Sequence, residues 1–173
     1  MSDIDDVSIE EFYEIQKYLY RESRLLSDSR AREWLEDLVD KQGSYQLIIK
    51  EERFRRAKTA SKRDIMAYSE NYTALELRVT QMETGLSWMN DPVQRLRYFI
   101  SNIEVFNTES SGHYKVYSNG IVYRNRRVYD ETVSVYGRED VIRRDSAGKL
   151  KLLNRIIKFD QRVVKDKNLL FFM

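Results

Sequence analysis

The sequence predicts an α+β protein, with N-terminal helices packed on a curved, mainly antiparallel β-sheet. Three observations point to this class. Apolar residues recur at steps of three and four in the first third of the chain. From Arg95 the period changes to two. The long period-two stretches are joined by short turns, which makes neighbouring strands antiparallel.

The helices come first. Ser8-Ile9-Glu10-Glu11 has the form of a capping box, in which the serine hydroxyl accepts from the amide three residues on and the glutamate bonds back. Behind it Phe12, Ile15, Leu19, Glu22 and Leu26 form one stripe. Glu22 interrupts that stripe, so a partly buried carboxylate with an arginine partner is expected. Asp28 or Ser29 is placed to cap a short second helix carrying Trp34, Leu35 and Leu38, and Gly43 is read as the end of the helical part. Tyr45 to Lys50 is a strand candidate. Asn71 or Thr73 caps a third helix running to about Thr84, with Leu75, Val79 and Met82 as its stripe and Gly85 as its C′ residue.

The strands follow. Leu96 to Val105, Tyr114 to Val128, Thr132 to Arg143 and Leu150 to Phe159 make a four-stranded meander, with Gly120 expected at a bulge or bend. The connections are Asn107 to Gly112, Tyr129-Asp130, and Asp145 to Gly148. A length of 173 residues fits one domain spanning 1–173.

Composition limits the chemistry. The chain has one histidine, His113, and no cysteine. A Rieske cluster takes two cysteines and two histidines, and a non-haem oxygenase iron takes two histidines and a carboxylate, so neither site can be built here. No Ser-His-acid or Cys-His set can be assembled, and there is no glycine-rich phosphate loop. His113 falls in or beside a hairpin turn and is expected at the surface. Asp64 and Asp140 would serve as general bases if buried, but both are flanked by arginines, which favours surface or interface ion pairs. The stretch Arg53 to Arg63 holds six basic residues in eleven. It reads as a phosphate or nucleic-acid contact, or as a solvated loop whose arginines serve a protein interface; the absence of helical periodicity favours the second.

The net charge of +2, from 30 basic and 28 acidic residues, gives no general reason to bind nucleic acid. The longest apolar run, Leu169 to Met173, is far too short to cross a membrane, and the acidic start lacks the pattern of a secretory signal. A soluble cytoplasmic protein is expected. Twelve tyrosines and seven phenylalanines suggest extensive contacts with other chains.

Such a layout is similar to the cone-shaped fold of scytalone dehydratase and ketosteroid isomerase, whose pocket between helices and sheet holds catalytic acids and histidines. A stand-alone dehydratase or isomerase using a buried carboxylate is therefore the rival reading, and fold alone does not decide it.

The most distinctive segment is Thr84-Gly85-Leu86-Ser87-Trp88-Met89-Asn90-Asp91-Pro92-Val93-Gln94-Arg95-Leu96-Arg97. It reads as a helix end, a loop fixed by Pro92, and the entrance to a strand. Alternation puts Arg95 and Arg97 on one face and Leu96 on the other. Trp88 is either a core plug or an interface anchor. The segment resembles the T-G-x-x-W-x-x-D-P-x-x-R-x-R stretch of the small (β) subunit of aromatic-ring-hydroxylating dioxygenases, and Ser101-Asn102-Ile103 continues it. Leu19 to Leu26 with Trp34-Leu35, Gly137 to Arg144, Arg155 to Gln161 and Lys167 to Phe172 resemble further blocks of that family, in order along nearly the whole chain. Leu150 departs from it, where many members carry tryptophan.

The resemblance implies a subunit with no catalytic, cofactor-binding or metal-binding residues of its own. The large (α) subunit would carry the [2Fe-2S] Rieske cluster and the mononuclear Fe(II), with electrons from NADH through a reductase and often a ferredoxin. The partners implied are three α subunits above a β trimer, in a hexamer that cis-dihydroxylates arenes. Trp88, Arg95, Arg97 and Tyr98 are the candidate subunit-interface residues.

Overall fold

Three helices lie on one side of an open six-stranded sheet in the computed structural model, which describes residues 7–49, 65–85, 92–160 and 171–173. Helix α1 (Ile9–Ser27) starts at the capping box: Ser8 Oγ accepts from the Glu11 amide at 3.2 Å, and Glu11 Oε2 accepts from the Ser8 amide at 3.1 Å. Its inward stripe is Ile15, Tyr18, Leu19, Glu22, Leu25 and Leu26.

Helix α2 (Ala31–Leu38) differs at its start from the expectation. Neither Asp28 nor Ser29 caps it; Arg30 occupies the N-cap without a side-chain bond. Asp28 instead ends α1, and Ser29 takes φ +59°. The Ser29 amide donates to Leu26 O and the Arg30 amide to Leu25 O at 2.8 Å. This is a Schellman ending with serine in the place glycine usually takes, so Ser29 is used up in closing the first helix.

Strand β1 (Val39–Ile49) begins directly after α2, so Gly43 does not end the helical part. It lies inside the strand at an irregularity between Val39 and Ser44, where an added Cβ would come within 2.7 Å of Asp40 O. Strand β2 (Ile65–Asn71), which the sequence reading did not find, pairs antiparallel with β1. Helix α3 (Tyr72–Glu83) is capped by Asn71, whose side chain accepts from the Ala74 amide at 3.0 Å.

Strands β3 (Arg95–Asn107), β4 (His113–Arg126), β5 (Asp130–Arg144) and β6 (Leu150–Phe159) form the expected meander. The sheet order is β2-β1-β6-β5-β4-β3, and β1 joins β6 in parallel, the one parallel pairing among the described residues. Gly120 is not a bulge: its pairing with Ile100 and Tyr136 is continuous. An added Cβ would lie 2.2 Å from Tyr136 Cε2, so the glycine makes room for a buried ring. The register break in β3 lies between Ser101 and Glu104, where Asn102 takes φ +52°. β3 is an edge strand, and its outward Tyr98 amide donates to Ser27 Oγ of α1 at 3.2 Å, which covers part of an edge that would otherwise invite pairing. No helix among the described residues is long and apolar enough to cross a membrane.

Candidate functional site

The space between helices and sheet, where a cone-fold enzyme would hold its substrate, is occupied by four charged side chains of this chain. Glu22 projects inward from α1, three residues from Leu19 and four from Leu26. Arg138 and Asp140 lie two apart on β5 and share its inner face. Arg155 on β6 is the cross-strand partner of Asp140. All four are at most 3% exposed.

Their geometry is reciprocal. Arg155 Nε and Nη2 donate to the two oxygens of Asp140, each at 2.8 Å. Arg155 Nη1 and Nη2 donate to Glu22 Oε1 and Oε2 at 2.7 and 3.0 Å. Arg138 Nη1 donates to Glu22 Oε2 at 2.9 Å, and Trp34 Nε1 donates to Glu22 Oε1 at 2.9 Å. Arg138 Nη2 also sits 3.4 Å from Asp140 Oδ2. Two carboxylates face two guanidiniums, so the cluster is neutral as a unit. Forked arginine–carboxylate bonds of this kind are the strong class of charge-assisted hydrogen bond.

Glu22 receives four donors, which uses the full acceptor capacity of a carboxylate. Burial pushes its carboxyl up, but the charges of Arg155 and Arg138, with the bonds from Arg155 and Trp34, hold it down to about 2. A general base works best with a pKa near the operating pH. Glu22 is therefore chemically quiet, a buried anion tied into ion pairs.

The last described residues fill the rest of the cone. Phe171, Phe172 and Met173 are at most 1% exposed. The Phe172 ring lies 4.5 Å from the Trp34 ring and meets Tyr45 edge-on at 6.2 Å, with the Arg78 guanidinium 4.5 Å above it. Tyr45 Oη accepts from the Met173 amide at 2.6 Å and donates to the Met173 carbonyl, to which Arg155 Nη1 also donates at 3.0 Å. Burial pushes the Tyr45 hydroxyl up to about 12, so it stays protonated and can make both bonds. Tyr98 donates to the Phe172 carbonyl. A recess of about 300 Å³ remains at the cone mouth, with Phe171 and Phe172 among its walls. The carboxylates on its lining, Glu33 and Glu83, accept from Arg30 Nε at 2.6 Å and Arg32 Nε at 3.0 Å.

The residues singled out from sequence fall in different places. Glu22 has its arginine partners but is wholly rather than partly buried. Asp140 is an ion-pair residue as expected, yet it lies in the core and not at a surface. Asp64, Trp88 and the basic stretch Arg53 to Arg63 lie outside the described residues. His113 begins β4 with Nδ1 3.2 Å from Ser111 O. Arg95 and Arg97 are exposed on the outer face of β3, Leu96 is turned the other way, and Tyr98 reaches into the cone. Sequence reasoning missed Arg155 and the residues 171–173. The signal for Arg155 was the Arg138–Asp140 spacing beside a neighbouring strand that also carried a single arginine amid apolar residues.

The donor set does not fit a metal. There is one histidine and no cysteine in the chain, Glu22 has its four acceptor sites filled, and both oxygens of Asp140 are bound by Arg155. Among the described residues no three histidine, cysteine, aspartate or glutamate side chains converge.

The chain is 33% identical over 166 residues to the 3-phenylpropionate/cinnamic acid dioxygenase subunit beta of Photorhabdus laumondii, covering 94% of this chain and 92% of that one. It superposes with a TM-score of 0.89 at 27% identity on a chain from a structure of naphthalene 1,2-dioxygenase with indole bound in its active site, covering 98% of this chain and 89% of that one. An NTF2-like protein with a cystatin-like fold from Novosphingobium aromaticivorans shares the fold alone, with a TM-score of 0.55 at 17% identity over 88% of this chain and 84% of that one. The ring hydroxylating beta subunit family matches residues 21–166, and with the cone filled by the chain's own ion cluster and aromatic residues, the protein belongs to that family of dioxygenase β subunits.

Proposed function

We propose that this chain, as a single unit over 1–173, is the non-catalytic scaffold of a cytoplasmic ring-hydroxylating dioxygenase and carries no step of the reaction itself. One observation supports this reading most: the volume where a cone-fold enzyme binds substrate holds Phe171, Phe172, Met173 and a charge-neutral cluster of Glu22, Asp140, Arg138 and Arg155. With that volume filled, the carboxylates deep in the cone, Glu22 and Asp140, are tied to arginine and are not offered to a substrate. The large subunit then supplies the [2Fe-2S] Rieske cluster and the mononuclear Fe(II), and NADH supplies electrons through a reductase and ferredoxin. The reaction is addition of both atoms of O2 to an aromatic ring. The relatives are named for an arylpropionate and for naphthalene, which supports an aromatic substrate class.

The assembly proposed is three of these chains with three large subunits. Arg95 and Arg97, exposed on β3, contact the large subunit together with Trp88. Tyr98 serves that contact through the strand it anchors to the core. The test is co-expression with a ring-hydroxylating large subunit from the same genome, followed by sedimentation and metal analysis. The expected result is a hexamer whose iron and acid-labile sulfide are absent from this chain purified alone. Stoichiometric iron on the isolated chain, or a monomer at micromolar concentration with and without the large subunit, would overturn the proposal.

A further inference from the structure

A groove of about 740 Å³ lies between α1, the end of α2 and the β5–β6 turn, and it shares no lining residue with the recess at the cone mouth. Tyr18 and Leu38, both buried, line it, and the Tyr18 hydroxyl donates to Leu38 O at 2.8 Å. The rest of its lining is mainly cationic. Lys17, Arg21 and Arg24 stand on α1 at steps of four and three, which puts them on one face over roughly 10 Å. Arg144, Lys149 and Lys151 come from the end of β5, the turn and β6. The groove has two acids, Glu14 and Asp37, and both are engaged, by Arg144 at 2.5 Å and by Arg21 at 2.6 Å. Lys151 Nζ donates to the Glu36 and Asp37 carbonyls at the end of α2, at 3.0 and 2.7 Å. Lys17, Arg24 and Lys149 are left without a carboxylate partner among the described residues, and Lys17 Nζ rests 5.2 Å from the centre of the Tyr13 ring.

Six cations against two acids give the groove a formal charge of +4, more than the +2 of the whole chain. The rest of the chain is therefore net acidic, and the positive charge is gathered here. Like charges three and four residues apart on a helix repel, and a cleft lined by one sign of charge concentrates counter-ions. We infer that this groove binds a small molecule carrying several oxyanion groups, an oligophosphate or a polycarboxylate. The site is framed before any ligand arrives, because Arg144 ties β5 to α1 through Glu14 and Lys151 ties β6 to α2. Its volume falls in the range of small-ligand sites, roughly 300–1,000 Å³. A ligand with two or more anionic groups reaches cations on both α1 and the turn, where a single small anion would meet one side only. Arg24 offers forked bonds to an oxyanion, and Lys17 and Lys149 offer point charges. This inference does not depend on the β-subunit reading above.

The experiment is amine-reactive labelling of the whole chain at low salt, read by mass spectrometry, with tripolyphosphate and citrate as probes, beside calorimetric titration. The anions should protect Lys17 and Lys149 and leave Lys115 reactive, since Lys115 lies between the buried Tyr114 and Val116 and so points to the other face of β4. Titration should show one site per chain, with an affinity that falls as salt is added. Arg24→Gln combined with Lys149→Gln should weaken binding roughly tenfold, as the loss of two surface charge contacts implies. Lys115→Gln should bind as the parent does. Protection by both probes supports the shared chemistry, and protection by one alone names phosphate or carboxylate as its source. Equal protection of all three lysines, or unchanged affinity in the double variant, would show diffuse ion condensation and overturn the inference. Absence of binding by either probe overturns it as well. If a hexaglutamate peptide protects Lys17 and Lys149 where neither small anion does, the groove belongs to an acidic protein segment and the small-ligand assignment falls. Labelling uses the unaltered chain, so a folding defect in the double variant leaves the test intact.

Discussion

A carboxylate inside a helix stripe is costly to desolvate, and Glu22 is held there by four donors from three side chains. Its folded-state pKa of about 2 lies below the ordinary 4.5. The stability it contributes is therefore present above about 4.5 and is lost as pH falls toward 2. Glu22→Gln should destabilise the fold by about 3–5 kcal/mol at neutral pH, because it leaves two buried guanidiniums facing one carboxylate. Urea unfolding of the two proteins from neutral pH to pH 2 measures this. The parent should lose stability through that acid window, and the variant should show a shallower slope. Equal slopes would mean that Glu22 does not report acid unfolding. Glu22 was legible in the sequence as an interruption of a stripe. Its partners were not, because the pairing of Asp140 with Arg155 is set by the register of β5 on β6.

At the scale of the elements, local chemistry and long-range packing divide the chain. The ends of α1 and α3 follow from side chains within three residues, Ser8 with Glu11 and Asn71 with Ala74. Strand β2 was not legible because most of it is exposed, so it has no clean alternation, and it is held by pairing with β1. Gly120 was recognised as special for the wrong reason. The backbone there is regular, and the constraint is the Tyr136 ring on the next strand. Gly120→Ala should cost about 1–3 kcal/mol through overpacking, read as a lower melting temperature with unchanged far-ultraviolet circular dichroism. A melting temperature equal to the parent's would show that the ring yields freely.

For the whole molecule the decisive feature is a cone closed from within. Phe172 packs at a tilt against Trp34, meets Tyr45 edge-on and lies under Arg78, so residues distant in sequence converge on one ring. Phe172→Ala should destabilise by about 3–5 kcal/mol and leave an apolar void beside Trp34. Trp34 fluorescence should shift when a small arene such as benzene enters that void, as it does not in the parent. A variant as stable as the parent would mean that the ring is not a core element. A dehydratase or isomerase of the same fold would need this volume empty, and the acid facing it available to substrate.

The sequence by itself determined the class, the meander, the cap of α1, and the family to which the chain belongs, and it narrowed the cap of α3 to Asn71 or Thr73. These rest on local periodicity, on side chains a few residues apart, and on motifs read in order. The single histidine and absent cysteine also excluded, from composition, a Rieske cluster or a two-histidine iron site built from this chain alone. Tertiary structure alone decided that β1 runs parallel beside β6, that Asp140 is a core residue, and that Arg155, Tyr45 and Tyr98 gather on residues 171–173. Those outcomes depend on contacts between separate elements, from 15 residues apart for Asp140 and Arg155 to 128 for Tyr45 and Met173. Hydrophobic burial drives such pairings but carries no direction along the sequence, so no local pattern announces which partners will meet.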